Sequence, residues 1–493
     1  MTAETLLLLT ILVPLGAVIG IVALGHSPNL REAVSLTASL VLIYLTVSLY
    51  KITGAGAAVS WEGLHILPGL VLFFSIEPLG MLFSLIGSFL WLITTIYSIG
   101  YMRGHQEKNQ TRFYICFAIA ISSVMGISYA GNLFTLFIFY EILTLSTYPL
   151  VTHAGTEKAK LGGRVYLGIL LTTSILFLLL AIIGTWYIAG TVDFHPGGIF
   201  DQSHTLAAAV LLPLYVFGIG KAAIMPFHRW LPAAMVAPTP VSALLHAVAV
   251  VKAGVFSVLK ICTYIFGFDM LNRLPTTNFL LYLAGASVII ASLVAMKQDN
   301  LKARLAYSTV SQLSYITVGA LLANSAGALG GAMHIGMHAF GKITLFFCAG
   351  AIMVATHKTE ISDMRGLGRR MPVTMTAFFI GSLSIIGLPP CGGTWSKWYL
   401  MIGTIEADKL ILMVVLMVSS LLNIAYLLPI PIKGFLYPDP DDKKGLRQVK
   451  EAPLPSLVAL SLTSVGCIVL FIYPQPLYEL GTYFLEAAGV HGR

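Results

Sequence analysis

The stretch NLFTLFIFYEILTLSTYPLVTH, residues 132 to 153, sets a glutamate, Glu141, in the middle of a long apolar run. Such a run can cross a bilayer as a helix, for which about 20 mostly apolar residues suffice. A charged side chain at mid-bilayer costs about 2.5 to 3.5 kcal/mol even on the gentlest insertion scale, so an ionisable residue there is by default a functional group. Whether the rest of the chain is built of similar runs decides the fold, and what answers the carboxylate decides the chemistry.

The rest of the chain is alike. Of its 493 residues 57% are hydrophobic and 10% charged, with a mean hydropathy of +0.86, far from the composition of a soluble globular chain. Fourteen spanning runs are expected, at 5–25, 32–51, 77–101, 111–129, 131–153, 163–189, 206–226, 240–264, 278–296, 303–323, 328–355, 372–406, 409–434 and 455–474. In lipid only helices and closed barrels satisfy their own backbone groups, and these runs are too long and too uniformly apolar for barrel strands. The expected fold is an all-α membrane protein of about fourteen transmembrane helices. The first run follows the acidic start Met1-Thr2-Ala3-Glu4, without a basic leader, and reads as a retained helix.

The five cysteines, Cys116, Cys262, Cys348, Cys391 and Cys467, lie in or beside apolar runs without C-x-x-C spacing and read as packing residues. Counted together with the span ends that flank them, the odd-numbered connections hold 20 of the 29 Lys/Arg, whereas the even ones hold only Lys51, Arg273 and Lys409. By the positive-inside rule the odd connections are cytoplasmic and both termini face outward. The basic balance therefore reports topology, and nucleic acid is not an expected partner.

With the terminal Arg493 set aside, the same accounting leaves five lysines inside apolar spans: Lys221, Lys252, Lys260, Lys342 and Lys397. Glu141 alone among the acids stands at the centre of a run, so the lysines cannot all be paired with it. Several must be neutral or hydrated by internal water, and lysines poised between charged and neutral are what a proton path requires. Lys260 lies within a turn of its span's outer end and is expected to snorkel to the interface. Lys252 and Lys342 are too central for that. The alternative for Glu141 is a structural pairing that holds two helices together.

Lys221 occurs in LPLYVFGIGKAAIMPFHRWLP (212–232), among Pro213, Gly218, Gly220 and Pro226, and Lys397 follows Pro389, Pro390, Gly392 and Gly393 in IIGLPPCGGTWSKWYL (385–400). Both sit at helix breaks. Broken helices at membrane depth persist where they are buried in protein or line a hydrated cavity, and transporters use them at ion sites. The breaks fall in spans seven and twelve, a spacing that suits an internal repeat of five helices, and an odd number of spans makes the repeat inverted.

His334, His338 and Lys342 follow at i, i+4, i+8 in GGAMHIGMHAFGKITLFFCAG (330–350) and share one helix face. No carboxylate or cysteine ligand accompanies them and Lys342 would repel a cation, so a proton relay is expected there rather than a metal site. His246 and Lys252, in TPVSALLHAVAVVKAGVFSVLK (239–260), point about 120° apart on an ideal helix and need an irregularity to share a polar layer. No nucleotide loop, zinc set, haem or iron–sulfur pattern or nucleophile triad occurs, and the glycines of GALGGAMHIG read as close helix packing. No cofactor and no metal site is expected, and no catalytic site of the chain's own.

The segment PFHRWLPAAMVAPTPVSALLHAVAVVKAGVF (226–256) resembles the signature region of the antiporter-like subunits shared by respiratory complex I, membrane-bound hydrogenases and Mrp-type cation/proton antiporters. The resemblance extends over most of the chain, through EPLGMLFSLIGSFLWLITTIYSIGYM (77–102), LFIFYEILTLSTYPLV (136–151), LKARLAYSTVSQLSYI (301–316), HAFGKITLFFCAG (338–350) and GLPPCGGTWSKWYL (387–400). Length and the SKWYL segment make it most similar to the D-type subunit of the Mrp antiporters or its counterpart in related hydrogenases. The chain departs from the family at Glu77, where aspartate is commoner, and at PPCGGTWSK, where the family has a bulkier PP-x-x-GF-x-SK stretch.

The resemblance implies two inverted five-helix repeats, spans four to eight (111–264) and nine to thirteen (278–434). Residues 1–110 would hold the first three helices and residues 455–493 the last helix and tail. It implies that Glu141 pairs with Lys221, that Lys252 is the central relay lysine, that Lys342 and Lys397 continue the path, and that His246, His334 and His338 lie on or near its axis. At 4 Å and an effective dielectric of about 20 a Glu141–Lys221 pair is worth about 4 kcal/mol, enough to switch a proton. The expected function is proton translocation within a multi-subunit Na+/H+ antiporter of the cell's inner membrane, with other membrane subunits, protons and Na+ as partners. The competing reading is the proton-pumping subunit of a redox-driven complex, a hydrogenase or a quinone oxidoreductase. An inert scaffold or an independent solute transporter has less support in the residues.

Overall fold

The computed structural model describes residues 2–54, 58–67, 70–438 and 450–490. The chain order is α1 (Ala3–Ala23), α2 (Pro28–Gly54), β1 (Ser60–Leu67), β2 (Leu70–Ser75), α3 (Pro78–Gly104), α4 (Gln110–Ser128), α5 (Leu133–Val151) and α6 (Glu157–Ala189). It continues with α7 (Thr205–Gly218), α8 (Thr239–Arg273), α9 (Pro275–Lys297), α10 (Leu301–Leu321) and α11 (Ser325–Thr356). The last elements are α12 in two pieces (Pro372–Ile386 and Gly393–Glu406), α13 (Leu410–Leu436), α14 (Leu454–Ile472) and the amphipathic α15 (Gln475–Ala487).

Among the described residues, 11 of these helices are long and apolar enough to cross a membrane unbroken. The three other expected spans are helical but differ for identifiable reasons. α7 stops at Gly218 and α12 is interrupted after Ile386, where glycine and proline withdraw backbone hydrogen bonds. α10 is continuous but carries Lys302, Arg304 and a row of hydroxyls. Side-chain caps mark where helices begin: the Asn132 Oδ1 accepts from the Thr135 N–H at 2.8 Å, Asn300 from Ala303 at 3.1 Å, and Asn324 from Gly327 at 2.8 Å.

The helices are sorted by depth. α8 is wholly buried at the centre, with α3, α4 and α11 mostly buried around it, while α1, α2, α6, α13 and α14 leave most of their surface outside. The five cysteines are all buried and free. α8 is not a regular helix: π-turns occupy Leu244–Val248 and Cys262–Phe266, the irregularity that functional helices often carry.

One element lies outside the all-helical expectation. β1 and β2 pair antiparallel, with Ser60 opposite Ser75 and Trp61 opposite Phe74. The hairpin seats on the start of α5, where Asn132 Nδ2 donates to the Val71 carbonyl at 2.9 Å and the Phe73 N–H donates to Thr135 Oγ1 at 2.9 Å. The segment between α2 and α3 is short and part polar, so a search for spanning runs reads it only as a connection.

Candidate functional site

The break after α7 places Lys221. Past Gly218 the chain makes a short 3-10 turn, Gly220–Ala222, and Ala223 takes the left-handed conformation at φ +54°. Trp230 Nε1 donates to the Gly220 carbonyl at 2.9 Å, satisfying a group the break releases. α8 comes against this break at Gly254, where a methyl would collide with the Lys221 carbonyl carbon and the Ala222 nitrogen. Only glycine lets the two backbones meet there.

Lys221 is buried, and its Nζ donates to the Tyr140 carbonyl at 2.8 Å and to Thr144 Oγ1 at 2.5 Å. The same ammonium lies 3.1 Å from the Tyr140 ring centroid. Lys221 thus docks on the face of α5 that carries residues 140 and 144. Glu141, one residue on, points about 100° away from that face. The expected Glu141–Lys221 ion pair is not formed within 4 Å in this structure, although the carboxylate is near enough to act on the ammonium through space. The carboxylate sits half-buried beside the exposed Ile142 and Leu145, with Oε1 buried and without a hydrogen-bond partner.

Further in, the central residues connect. Lys252 Nζ and His338 Nδ1 lie 2.5 Å apart, and the rings of His338 and His334 are 5.6 Å apart. His334 Nδ1 meets Ser396 Oγ at 2.8 Å and its Nε2 meets Gln312 Oε1 at 3.2 Å. Tyr315 stacks on His334 at 5.9 Å, and Lys397 Nζ stands 4.7 Å from the Tyr315 ring centroid. Lys397 also donates to the Ile386 carbonyl at 3.0 Å, a group freed by the α12 break, and to Ser420 Oγ at 3.1 Å. Lys252, His338, His334 and Lys397 thus form one buried row across three helices.

Three expectations change. Lys342 shares the α11 face with the histidines, but its ammonium turns to α10, donating to Ser308 Oγ at 2.6 Å and to the Leu305 carbonyl at 3.3 Å. His246 lies in the first π-turn of α8, buried, 4.7 Å from the Phe346 ring, and neither ring nitrogen has a partner. It does not contact Lys252, because the turn redirects it towards α11. Lys260 does not snorkel. It is buried and ion-paired with Glu77 at 2.6 Å, and it donates to the Ala130 carbonyl at 2.7 Å. The start of α3 brings the carboxylate to it, which one span read alone does not show.

The hydroxyl and amide partners, Tyr140, Thr144, Ser308, Gln312, Tyr315, Ser396, Ser420, Asn423 and Tyr426, escaped the sequence reading. Their signal was the density of polar residues in YSTVSQLSY (307–315) and in VSSLLNIAY (418–426). Among the described residues no group of three or more His, Cys, Asp or Glu side chains could hold a metal ion.

A row of buried lysines and histidines that ends at one helix break, with a further buried lysine at a second break, defines in this membrane bundle a proton-translocating membrane subunit. The chain belongs to the NADH:quinone oxidoreductase/Mrp antiporter transmembrane family, whose model matches residues 130–423. It is 32% identical over 414 residues to NADH-quinone oxidoreductase subunit N of Desulforudis audaxviator (strain MP104C), covering 81% of this chain and 82% of that one. It is also 32% identical over 406 residues to the probable K(+)/H(+) antiporter A/B subunit of Rhizobium meliloti (strain 1021), covering 80% of this chain but 39% of that longer protein. Several other curated relatives are likewise longer, and the chain spans about half of them, as with NAD(P)H-quinone oxidoreductase chain 5 of Picosynechococcus, at 50%. The fold matches a chain of the Mrp complex from Dietzia sp. DQ12-45-1b with a TM-score of 0.86 at 24% identity, over 99% of this chain and 98% of that one. It matches a chain of the archaeal membrane-bound sulfane sulfur reductase with a TM-score of 0.84 at 22% identity, over 98% of both chains.

Proposed function

We propose that this chain is the proton-translocating subunit of an Mrp-type monovalent cation antiporter, in the position of the D-type subunit, exchanging protons for Na+. The observation that carries the path is the buried row in which Lys252 bonds His338, the His338 and His334 rings stand 5.6 Å apart, and His334 bonds Ser396, the neighbour of Lys397. A neutral imidazole accepts a proton on one nitrogen and releases one from the other, so rotation of the two rings can hand a proton from the α8 lysine towards the α12 lysine without moving the helices.

Lys221 is the switch in this reading. It now rests on Tyr140 and Thr144, and a rotation of α5 or of the broken α7 would bring it to the Glu141 carboxylate. A closed pair favours the charged lysine by about 4 kcal/mol, close to a thousandfold in its proton equilibrium. Opening it frees the proton to move inward to Lys252, with His246 beside the path and Lys342 continuing it. The two five-helix units, residues 111–264 and 278–434, would each hold one broken helix, between an N-terminal unit at 1–110 and a last helix and tail at 455–493. The basic connections would face the cytoplasm, with both termini outside the cell's inner membrane.

A second reading makes the chain the pump subunit of a redox-driven complex. Its similarity to an NADH-quinone oxidoreductase subunit over most of both chains favours that reading. Mass spectrometry of the assembly purified through a tag on this chain separates the two. Small hydrophobic partners and further antiporter-like chains, followed by Na+-dependent proton flux in everted vesicles, support the antiporter. Copurifying iron–sulfur chains would replace it with the redox-driven pump.

A further inference from the structure

We propose that the polar face of α13 forms a second proton branch, from Lys342 to Lys397, in which Tyr426 transfers the proton and Asn423 positions it. The proposal rests on the Lys/His relay described above and adds residues that relay does not use.

Lys342 turns away from His338 and donates to Ser308 Oγ at 2.6 Å. Ser308 Oγ lies 3.0 Å from the Tyr426 hydroxyl, which also makes a short hydrogen bond to Asn423 Oδ1. All four side chains are buried or nearly so, with Ser308, Lys342 and Asn423 at 0% exposure and Tyr426 at 1%. At the far end Lys397 donates to Ser420 Oγ at 3.1 Å. Ser420 and Asn423 are i, i+3 neighbours on α13, separated by a rise of about 4.5 Å. Asn423 Nδ2 is buried with no partner, and a buried amide in polar surroundings is commonly satisfied by an internal water. In the proposed branch one such water bridges Tyr426 and Asn423 to Ser420.

The hydroxyls here differ from those nearby. Thr309, Ser314 and Thr317 on α10 give their protons to the carbonyls four residues back, at 2.9, 3.0 and 3.3 Å. Such bonds tie a hydroxyl to its own helix. Ser308 bonds the lysine and Tyr426 across helices, and the Tyr426 hydroxyl adds to that bond one to Asn423 on its own helix. In the transfer, an ammonium proton of Lys342 passes to Ser308 Oγ as the Ser308 proton passes to Tyr426 Oη and the Tyr426 proton passes to the water. The water gives its proton through Ser420 to neutral Lys397. Only N–H and O–H bonds are exchanged, and one proton moves from lysine to lysine.

The test measures proton flux and its solvent deuterium isotope effect in everted vesicles holding the full complex, for Tyr426→Phe, Ser308→Ala, Ser419→Ala, Lys342→Ala and Lys252→Ala. Ser419 Oγ bonds Ser292 at 3.1 Å and Ser311 at 3.3 Å, off the branch. Tyr426→Phe should remove the branch's minority share of the flux and raise the isotope effect, which a packing role would leave unchanged, while Ser419→Ala keeps the wild-type rate. Loss of flux in Lys342→Ala with wild-type flux in Tyr426→Phe overturns the branch and keeps the relay. Wild-type flux in Lys342→Ala overturns the branch, and wild-type flux in Lys252→Ala overturns the relay itself. If Tyr426→Phe fails to assemble, Ser308→Ala decides, and wild-type flux there overturns the branch.

Discussion

Substituting His338 tests the central hydrogen bond most directly. Its Nδ1, 2.5 Å away, is the hydrogen-bond partner of the Lys252 ammonium. His338→Phe removes that acceptor and keeps an aromatic ring of similar bulk. A hydrogen bond to a charged group is worth about 1.5 to 3 kcal/mol, and a buried charge stripped of its partner costs about 3 to 5 kcal/mol. At about 3 kcal/mol the charged form of Lys252 becomes over a hundredfold rarer, because 1.36 kcal/mol corresponds to a factor of ten. Flux through the row should fall to about 1% of wild type. His338→Gln isolates the chemistry from the packing, since its carbonyl oxygen can still accept from Lys252 but an amide does not pass a proton onward. The glutamine variant should therefore match wild type in the melting of the purified complex and still lose flux. The assay is quenching of a pH-sensitive dye in everted vesicles, with complex content normalised by immunoblot. Flux above half of wild type in the glutamine variant would refute the shuttle, whatever the phenylalanine variant does.

The other predictions address the switch, the break, the Glu77–Lys260 pair and the histidine just past α5. Glu141→Ala should abolish transport yet leave assembly intact, because the carboxylate makes no ion pair in this structure; near-normal flux in a dye-quenching assay would sink the switch. Gly254→Ala presses a methyl into the Lys221–Ala222 backbone and should cost about 1 to 3 kcal/mol, seen as a lowered melting temperature together with reduced flux. Glu77→Gln strands the buried Lys260 and should cost about 3 to 5 kcal/mol, whereas adding Lys260→Met to it should recover most of the loss in a thermal melt. His153, just past α5, is held below the ordinary histidine range chiefly by burial, with Glu107 opposing. The unfolded chain then binds the extra proton more readily, so its contribution to stability is present above about pH 6.5 and is lost as the pH falls below that. His153→Gln should flatten the acid limb of the melting-temperature profile between about pH 7.5 and 5.

The parts that were legible in the sequence are those that carry a large energy on a single residue. A lysine or glutamate in an apolar run announces itself because insertion is costly, and glycine and proline at 218–226 and 387–393 announce a break because they cannot sustain helix hydrogen bonds. Partners were less legible, because a partner is set by direction. Glu141 and Tyr140 are adjacent in sequence, yet about 100° of helix rotation sends one to the flank and the other to Lys221. Lys260 was judged by its depth along its own span, while the carboxylate that receives it starts a helix over 180 residues earlier. Hydroxyls hide for a third reason. A serine in a membrane helix is cheap, since its proton can return to a carbonyl of the same turn, so Ser308 and Ser314 look alike in sequence. Only the first has Lys342 and Tyr426 beside it. The costly groups therefore mark where a proton can rest, and the cheap ones decide which way it can leave. Lys342 shows the difference most clearly, since its position on α11 suggests the histidine row whereas its ammonium leads to α10 and α13.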